Sequence, residues 1–133
     1  MVLSTFDRAS VAVHDLCEHA YTVPNFEYLK SLYGDHRVSL HCGDSRETLE
    51  QARGAGRALW DAVHIDGGHD FEVAAADLVN ARALAKGGAL VILDDCELLE
   101  VNAAWSYAKD LGFVVTEREG LCWKENCYGR YST

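Results

Sequence analysis

The sequence predicts an α/β fold built on a mostly parallel sheet, and three observations carry that expectation. Runs rich in β-forming residues alternate with helical runs from one end of the chain to the other, and the connections between them are short. One run, Ala89–Leu93, is continuously apolar, the pattern of a strand covered on both faces. The 133 residues are enough for one packed core and too few for two, so a single domain over 1–133 is expected.

In chain order, Ser10–Asp15 is a short β-rich run ending in an acid. Val23–Tyr33 has Pro24 in its first turn, apolar Phe26, Leu29 and Leu32 at spacings of three, and Gly34 as a stop, which predicts a helix. Arg37–Cys42 alternates as a strand does, Gly43-Asp44-Ser45 breaks it, and Leu49 and Ala52 mark the helix that follows. Trp60–Asp66 is a third strand ending in an acid, with Gly67-Gly68-His69-Asp70 as its turn. Phe71–Lys86 carries Phe71, Ala74/Ala75, Leu78, Ala81 and Ala85 at helical spacing, with Gly87-Gly88 expected to end it. Ala89–Leu93 ends in Asp94-Asp95. Val101, Trp105, Ala108 and Leu111 predict a last helix stopped by Gly112. Phe113–Arg118 and Leu121–Tyr128 predict a closing pair of strands joined at Glu119-Gly120.

Composition narrows the function classes. Twelve basic against 21 acidic residues give a net charge of −9 and a pI near 5.0, which argues against nucleic acid and anionic membrane as partners. No apolar run approaches the roughly 18–20 residues that span a bilayer, and Met1–Arg8 lacks the basic-then-apolar pattern of a secretory signal. The five cysteines, an odd number without a Cys-x-x-Cys, read as buried reduced thiols of a cytoplasmic protein. Cys122 and Cys127 are near enough to pair across a hairpin, though nothing demands it. In a parallel sheet ligands bind beyond the carboxyl ends of the strands. Asp15, Asp44, Asp66, Asp94 and Asp95 all fall at such ends, so they are expected along one rim. Carboxylates that close repel one another and call for a cation, a metal or ligand hydroxyls.

The segment Asp61-x-Val63-His64-Ile65-Asp66-Gly67-Gly68-His69-Asp70, followed by Asp77-Leu78, Lys86-Gly87-Gly88 and Asp94-Asp95, resembles the class I S-adenosylmethionine-dependent methyltransferases. It is most similar to the small-molecule O-methyltransferases whose fourth strand ends in an Ile-Asp-Gly-Gly-His motif. Gly43-Asp44-Ser45 and Asp15 fit the same family after its third and second strands, and the resemblance covers roughly residues 8–118. It implies a Rossmann-like sheet with helices on both faces and a C-terminal antiparallel pair. It also implies S-adenosylmethionine as methyl donor and a small-molecule hydroxyl as acceptor. Asp15 would accept from the ribose diol, and Gly43, Asp44 and Ser45 would lie beside the adenine. Asp66 with Gly67 would lie near the transferred methyl, and His69 would act as base or ligand. Metal-using members imply Asp66, Asp94 and Asp95 as ligands of Mg²⁺, whose preference is for hard oxygen donors.

One departure stands out. The family opens with a strand and a Gly-rich turn, whereas no Gly precedes Gly34 here, and Met1–Arg8 reads as the tail of the helix after that turn. The domain therefore looks N-terminally truncated relative to the family. Its missing mid-sheet strand leaves three alternatives: Val11–His14 pairs directly with Val63–Ile65, something else fills the gap, or the gene product is incomplete.

Each candidate also has a structural reading. Asp15 would be a solvated turn residue, Asp44 a helix cap, and Gly67 and Gly68 suppliers of unusual backbone angles. His69, Asp70 and one of Asp94 or Asp95 would cap helices. His14, His19, His36, His41 and His64 read as scattered, Arg53–Arg57 as a solvated basic loop, and Trp60, Trp105 and Trp123 as core or interface. Tyr128 and Tyr131 are candidates to line a pocket. The leading functional expectation is methyl transfer to oxygen, Mg-assisted or not, with a homo-oligomer the one protein partner left open. The alternatives are a non-catalytic remnant of the fold serving as a binding or assembly module, and a metal-dependent hydrolase.

Overall fold

The computed structural model describes residues 2–55, 60–116 and 126–133. In order the elements are α1 (Val2–Thr5), β1 (Val11–Asp15), α2 (Thr22–Tyr33), β2 (Val38–Cys42), α3 (Ser45–Gly54), β3 (Trp60–Ile65), α4 (Phe71–Arg82), β4 (Ala85–Leu93), α5 (Leu99–Asp110), β5 (Val114–Thr116) and β6 (Cys127–Tyr131). The alternation predicted from the sequence is present. The chain forms two compact units, 1–48 and 49–133.

In the first unit β1 and β2 run parallel, in register from Val11↔Val38 to Asp15↔Cys42. Leu3, Phe26 and Val38 are buried together, with Val11, Tyr33 and Leu40 against them. Arg37 ties the N-terminal helix down: its guanidinium donates to the carbonyls of Leu3, Phe6 and Ala9 at 2.9, 2.6 and 2.9 Å. These include carbonyls that the end of a helix leaves without intrahelical partners. Gly34 stops α2 at φ 85°, where an L side chain is strained, and its amide donates back to the Lys30 carbonyl.

The second unit has one sheet in the order β3-β4-β6-β5. β3 and β4 are parallel, whereas β6 is antiparallel to both β4 and β5, as the closing-pair expectation required. Helices α4 and α5 bury Ala74, Ala75, Leu78, Ala81, Val101, Ala104, Trp105 and Ala108 against Val91, Leu93, Val114 and Tyr131 of the strands. Trp105 is core, as expected, and Trp60 is partly buried against it; Trp123 lies outside the described residues. Among the described residues no helix is long and apolar enough to cross a membrane.

Several expectations are corrected. Helix α4 ends at Arg82, before Gly87-Gly88, and those glycines lie inside β4. The buried residues Leu84 and Ala85 pull the chain into the sheet early, and the Trp60 amide donates to the Leu84 carbonyl at 2.7 Å. The surplus residues form an irregularity between the pairs Trp60↔Ala85 and Ala62↔Leu90. The last strand is Cys127–Tyr131 rather than Leu121–Tyr128, and the proposed joint at Glu119-Gly120 lies outside the described residues. Tyr131 is a core residue rather than a pocket wall: it is 1% exposed and its hydroxyl donates to the Leu78 carbonyl. Burial pushes its phenol pKa up, and the negative charge of Asp77 adds to that rise.

The cysteines are not all reduced. Cys17 pairs with Cys42 and Cys96 with Cys127 as disulfides, with Cα separations of 5.4 and 6.0 Å, within the range such a bridge spans. The register explains both pairs. Asp15 lies opposite Cys42 and Leu93 opposite Cys127, so Cys17 and Cys96, which follow β1 and β4 by two and three residues, come back within reach of those strand-end cysteines. Cys127 thus has Cys96 as its partner, and Cys122 lies outside the described residues.

Gly129 is the tightest point of the second unit. A Cβ there would lie 2.8 Å from Val114 Cγ1 and 2.8 Å from the Val115 carbonyl oxygen. Backbone cannot withdraw as a side-chain tip can, so Gly129→Ala is expected to destabilise the fold by about 1–3 kcal/mol in urea denaturation. An unchanged midpoint would show that β5 is not held against β6 as described.

Candidate functional site

In the first unit, β1 and β2 present their carboxyl ends side by side. The ladder continues one step past them: the Gly43 amide donates to the Asp15 carbonyl at 2.9 Å. Gly43 has φ 135°, and a Cβ there would lie 3.3 Å from Thr48 Cγ2, so both conformation and space favour glycine at this turn. The Asp15 carboxylate is partly buried, and its Oδ1 accepts the Cys17 amide at 2.6 Å. Behind it, His14 stacks on His41 with ring centroids 4.6 Å apart, and His14 Nδ1 is hydrogen-bonded to Thr48 Oγ1 at 2.9 Å. These two imidazoles are therefore paired, not scattered.

Asp44 does what its structural reading held: Oδ1 accepts the Arg46 amide at 2.9 Å, capping the first turn of α3, which begins at Ser45. The Arg46 guanidinium also grips both carboxylate oxygens. That side-chain hydrogen bond, reinforced by the backbone one, holds the Asp44 pKa down at about 2 against an ordinary 3.8. The sequence reading missed Arg46. Its signal was a guanidinium two residues past a capping acid, where one carboxylate can take both amide and side chain.

In the second unit, β3 leads into Asp66, which is exposed, and then into the two glycines. Neither glycine has a positive φ, so unusual backbone angles do not explain them. Space does: a Cβ on Gly67 would lie 3.1 Å from Asp77 Oδ2, and one on Gly68 would lie 3.0 Å from Val73 Cγ1. Asp77 is buried beneath this turn at 5% exposure. His69 does not cap α4, and Asp70 receives α4 only through its carbonyl, with no side-chain cap. Instead His69 reaches across to the end of β4, where its Nε2 lies 2.8 Å from Asp95 Oδ2.

The end of β4 is held in step with the end of β3 by the Asp94 amide, which donates to the Ile65 carbonyl at 2.9 Å. Asp94 Oδ1 accepts the Asp95 amide at 3.0 Å, and its Oδ2 lies 3.6 Å from His64 Nε2. Asp95 has φ 54°, a conformation most L residues avoid. Neither acid caps α5, whose N-cap Leu98 donates its amide to the Asp95 carbonyl. Among the described residues no three His, Cys, Asp or Glu side chains gather as metal ligands. Asp66, Asp94 and Asp95 thus do not fit the expected Mg²⁺ site, because Asp94 and Asp95 are each turned toward a histidine. Arg53 is solvated, as expected, but it lies in the last turn of α3 rather than in a loop, exposed beside Glu50; Arg57 lies outside the described residues.

The sequence model of a methyltransferase domain family matches residues 3–96. No curated protein matches the chain. Among solved structures, an O-methyltransferase from Bacillus cereus in complex with SAH is similar at a TM-score of 0.72 and 15% identity, over 92% of this chain and 63% of that one. The O-methyltransferase TomG from Streptomyces achromogenes, in complex with SAM, is similar at 0.71 and 16%, over 93% and 62%. MycE, a methyltransferase of mycinamycin biosynthesis in complex with Mg, SAH and mycinamycin VI, is similar at 0.68 and 13%, over 98% and 38%. At these identities the likeness is one of fold: the chain has the α/β, Rossmann-like methyltransferase fold, and it spans about six tenths of the first-named structures.

The charge state of Asp44 offers a direct check. Its carboxyl resonance is expected to titrate near pH 2 in the folded protein and to return toward 3.8 in Arg46→Ala. A depressed pKa contributes stability above the unfolded value of 3.8, and that stability is lost as pH falls through 2. A midpoint near 3.8 in the wild-type chain would mean that Arg46 points elsewhere.

Proposed function

Because the chain belongs to this methyltransferase domain family, we propose that it transfers a methyl group from S-adenosylmethionine to a hydroxyl oxygen of a small molecule. The observation that carries the chemical part is the His69–Asp95 pair at 2.8 Å, at the turn that follows Asp66. In this reading the nitrogen facing Asp95 carries the proton and Nδ1 of His69 is the proton acceptor, with the Asp95 carboxylate 2.8 Å away to stabilise the imidazolium that results. The donor, when bound, supplies an electrophilic methyl on a sulfonium. His69 would take the acceptor's hydroxyl proton as its oxygen accepts the methyl, the carbon–sulfur electron pair staying with the thioether that leaves. Asp66 lies three residues before the base. The strand-end Asp66 and the close-packed Gly67 would receive the methionine end of the donor.

The first unit supports the adenosine half of this reading. Asp15 uses Oδ1 for the Cys17 amide, which orients the carboxylate and would leave Oδ2 to accept from the ribose diol. Gly43, Asp44 and Ser45 would meet the adenine mainly through backbone, since the Asp44 carboxylate is engaged by Arg46. A Mg-assisted version would require Asp94 and Asp95 to turn away from their present partners, so the histidine base is the better-supported route. The acceptor is a small hydroxyl compound; nucleic acid remains disfavoured by the net charge of −9.

The test is turnover of small hydroxyl acceptors. His69→Gln is expected to lower kcat by about 10²–10⁴ while leaving donor affinity unchanged, and Asp95→Asn to lower it less. Chelator is expected to change nothing. Full activity in His69→Gln would refute the base, activity lost on chelation would favour the metal route, and a chain that binds no donor would favour the non-catalytic remnant.

A further inference from the structure

The Cys17–Cys42 disulfide closes over the strand-end turns to which the proposed function gives the donor's adenosine. We infer that this bond is a redox switch on donor affinity; the inference rests on that assignment of Asp15. Four observations place it. Cys17 sits two residues past Asp15, and Cys42 lies opposite Asp15 in the β1–β2 register, one residue before Gly43-Asp44. The bond therefore joins the two turns named for ribose and adenine. Cys17 holds φ 60°, a left-handed conformation that an L side chain adopts only under constraint. In that conformation its amide reaches Asp15 Oδ1 at 2.6 Å, the contact that orients the ribose acid. Finally, Cys42 is exposed, so a thiolate in solution can reach it.

The consequence follows from these constraints. While the bond is closed, Cys17 is kept left-handed and Asp15 keeps one oxygen tied and the other presented. When it opens, nothing covalent holds Cys17 in a disfavoured conformation, and the Asp15 carboxylate is released to rotate. Opening is ordinary thiol–disulfide exchange. A thiolate of a dithiol reductant attacks Cys42 Sγ, the Cys17–Cys42 bond breaks, and Cys17 leaves as a thiolate that takes a proton. The second thiol of the reductant then displaces Cys42 from the mixed disulfide. Two electrons pass to the protein, which gains two thiols, and the reductant departs as its disulfide.

The experiment is calorimetric titration of the full chain with S-adenosylhomocysteine, after equilibration with oxidised or reduced dithiothreitol. Alkylation and mass measurement count the thiols in each sample. The oxidised chain is expected to bind at least tenfold more tightly, and Cys42→Ser to bind as the reduced chain does in both conditions. Equal affinity in two states that differ in the Cys17–Cys42 thiols would overturn the switch while leaving the donor site intact. A redox response that survives in Cys42→Ser would assign the effect to Cys96–Cys127 and likewise overturn it. No binding in either state would overturn the site assignment together with the switch.

Discussion

Two backbone hydrogen bonds set the positions of nearly every chemically interesting residue in this chain. In the first unit the Gly43 amide donates to the Asp15 carbonyl, and in the second the Asp94 amide donates to the Ile65 carbonyl, both at 2.9 Å. Each is the last rung of a parallel ladder, made one residue beyond a strand end. A parallel pair brings like ends together, so the turn after one strand is fixed beside the turn after its neighbour. That is how Cys17 meets Cys42, and how His69, after β3, meets Asp95, after β4. Burial of Ile65, Val91 and Leu93 keeps the second ladder from slipping, since a one-residue shift would turn those faces outward.

Carboxylates at neighbouring strand ends repel, yet within each unit most of these are met locally. Asp15 has the Cys17 amide, Asp44 the Arg46 amide and guanidinium, Asp94 the Asp95 amide with His64 at 3.6 Å, and Asp95 has His69. Hydrogen bonding to the charged form of a carboxylate stabilises it where it stands. For Asp44 this is visible as a pKa near 2. The donors all come from within a few residues or from the adjacent strand end, so the arrangement forms as the ladders form.

Much of this was legible in the sequence because it follows from local rules. Gly34 and Gly112 mark helix stops, the apolar run at Ala89–Leu93 marks the covered strand, and the acids do fall at or just after strand ends. What the sequence hid depended on register. Whether His69 caps α4 or meets Asp95 is decided by where β4 ends relative to β3, which no spacing in the chain encodes. The same holds for the cysteines: nothing in a separation of 25 residues says that two thiols will face each other, whereas the pairing Asp15↔Cys42 brings Cys17, two residues on, within reach. The early end of α4 was hidden because Ala85 continues the helical spacing while belonging, by burial, to β4. Gly67 and Gly68 were legible as glycines needed by a turn, but the need comes from Asp77 and Val73 pressing against their backbone.

The strand-end turns are proposed to receive an adenosine-bearing methyl donor, and amide chemical shifts read that most directly. On adding S-adenosylhomocysteine to the isotope-labelled chain, shifts are predicted to concentrate at Asp15–Cys17, Gly43–Ser45 and Asp66–Gly68, with α2 and α5 quiet. Saturable shifts confined to other surfaces, with these turns unmoved, would contradict it.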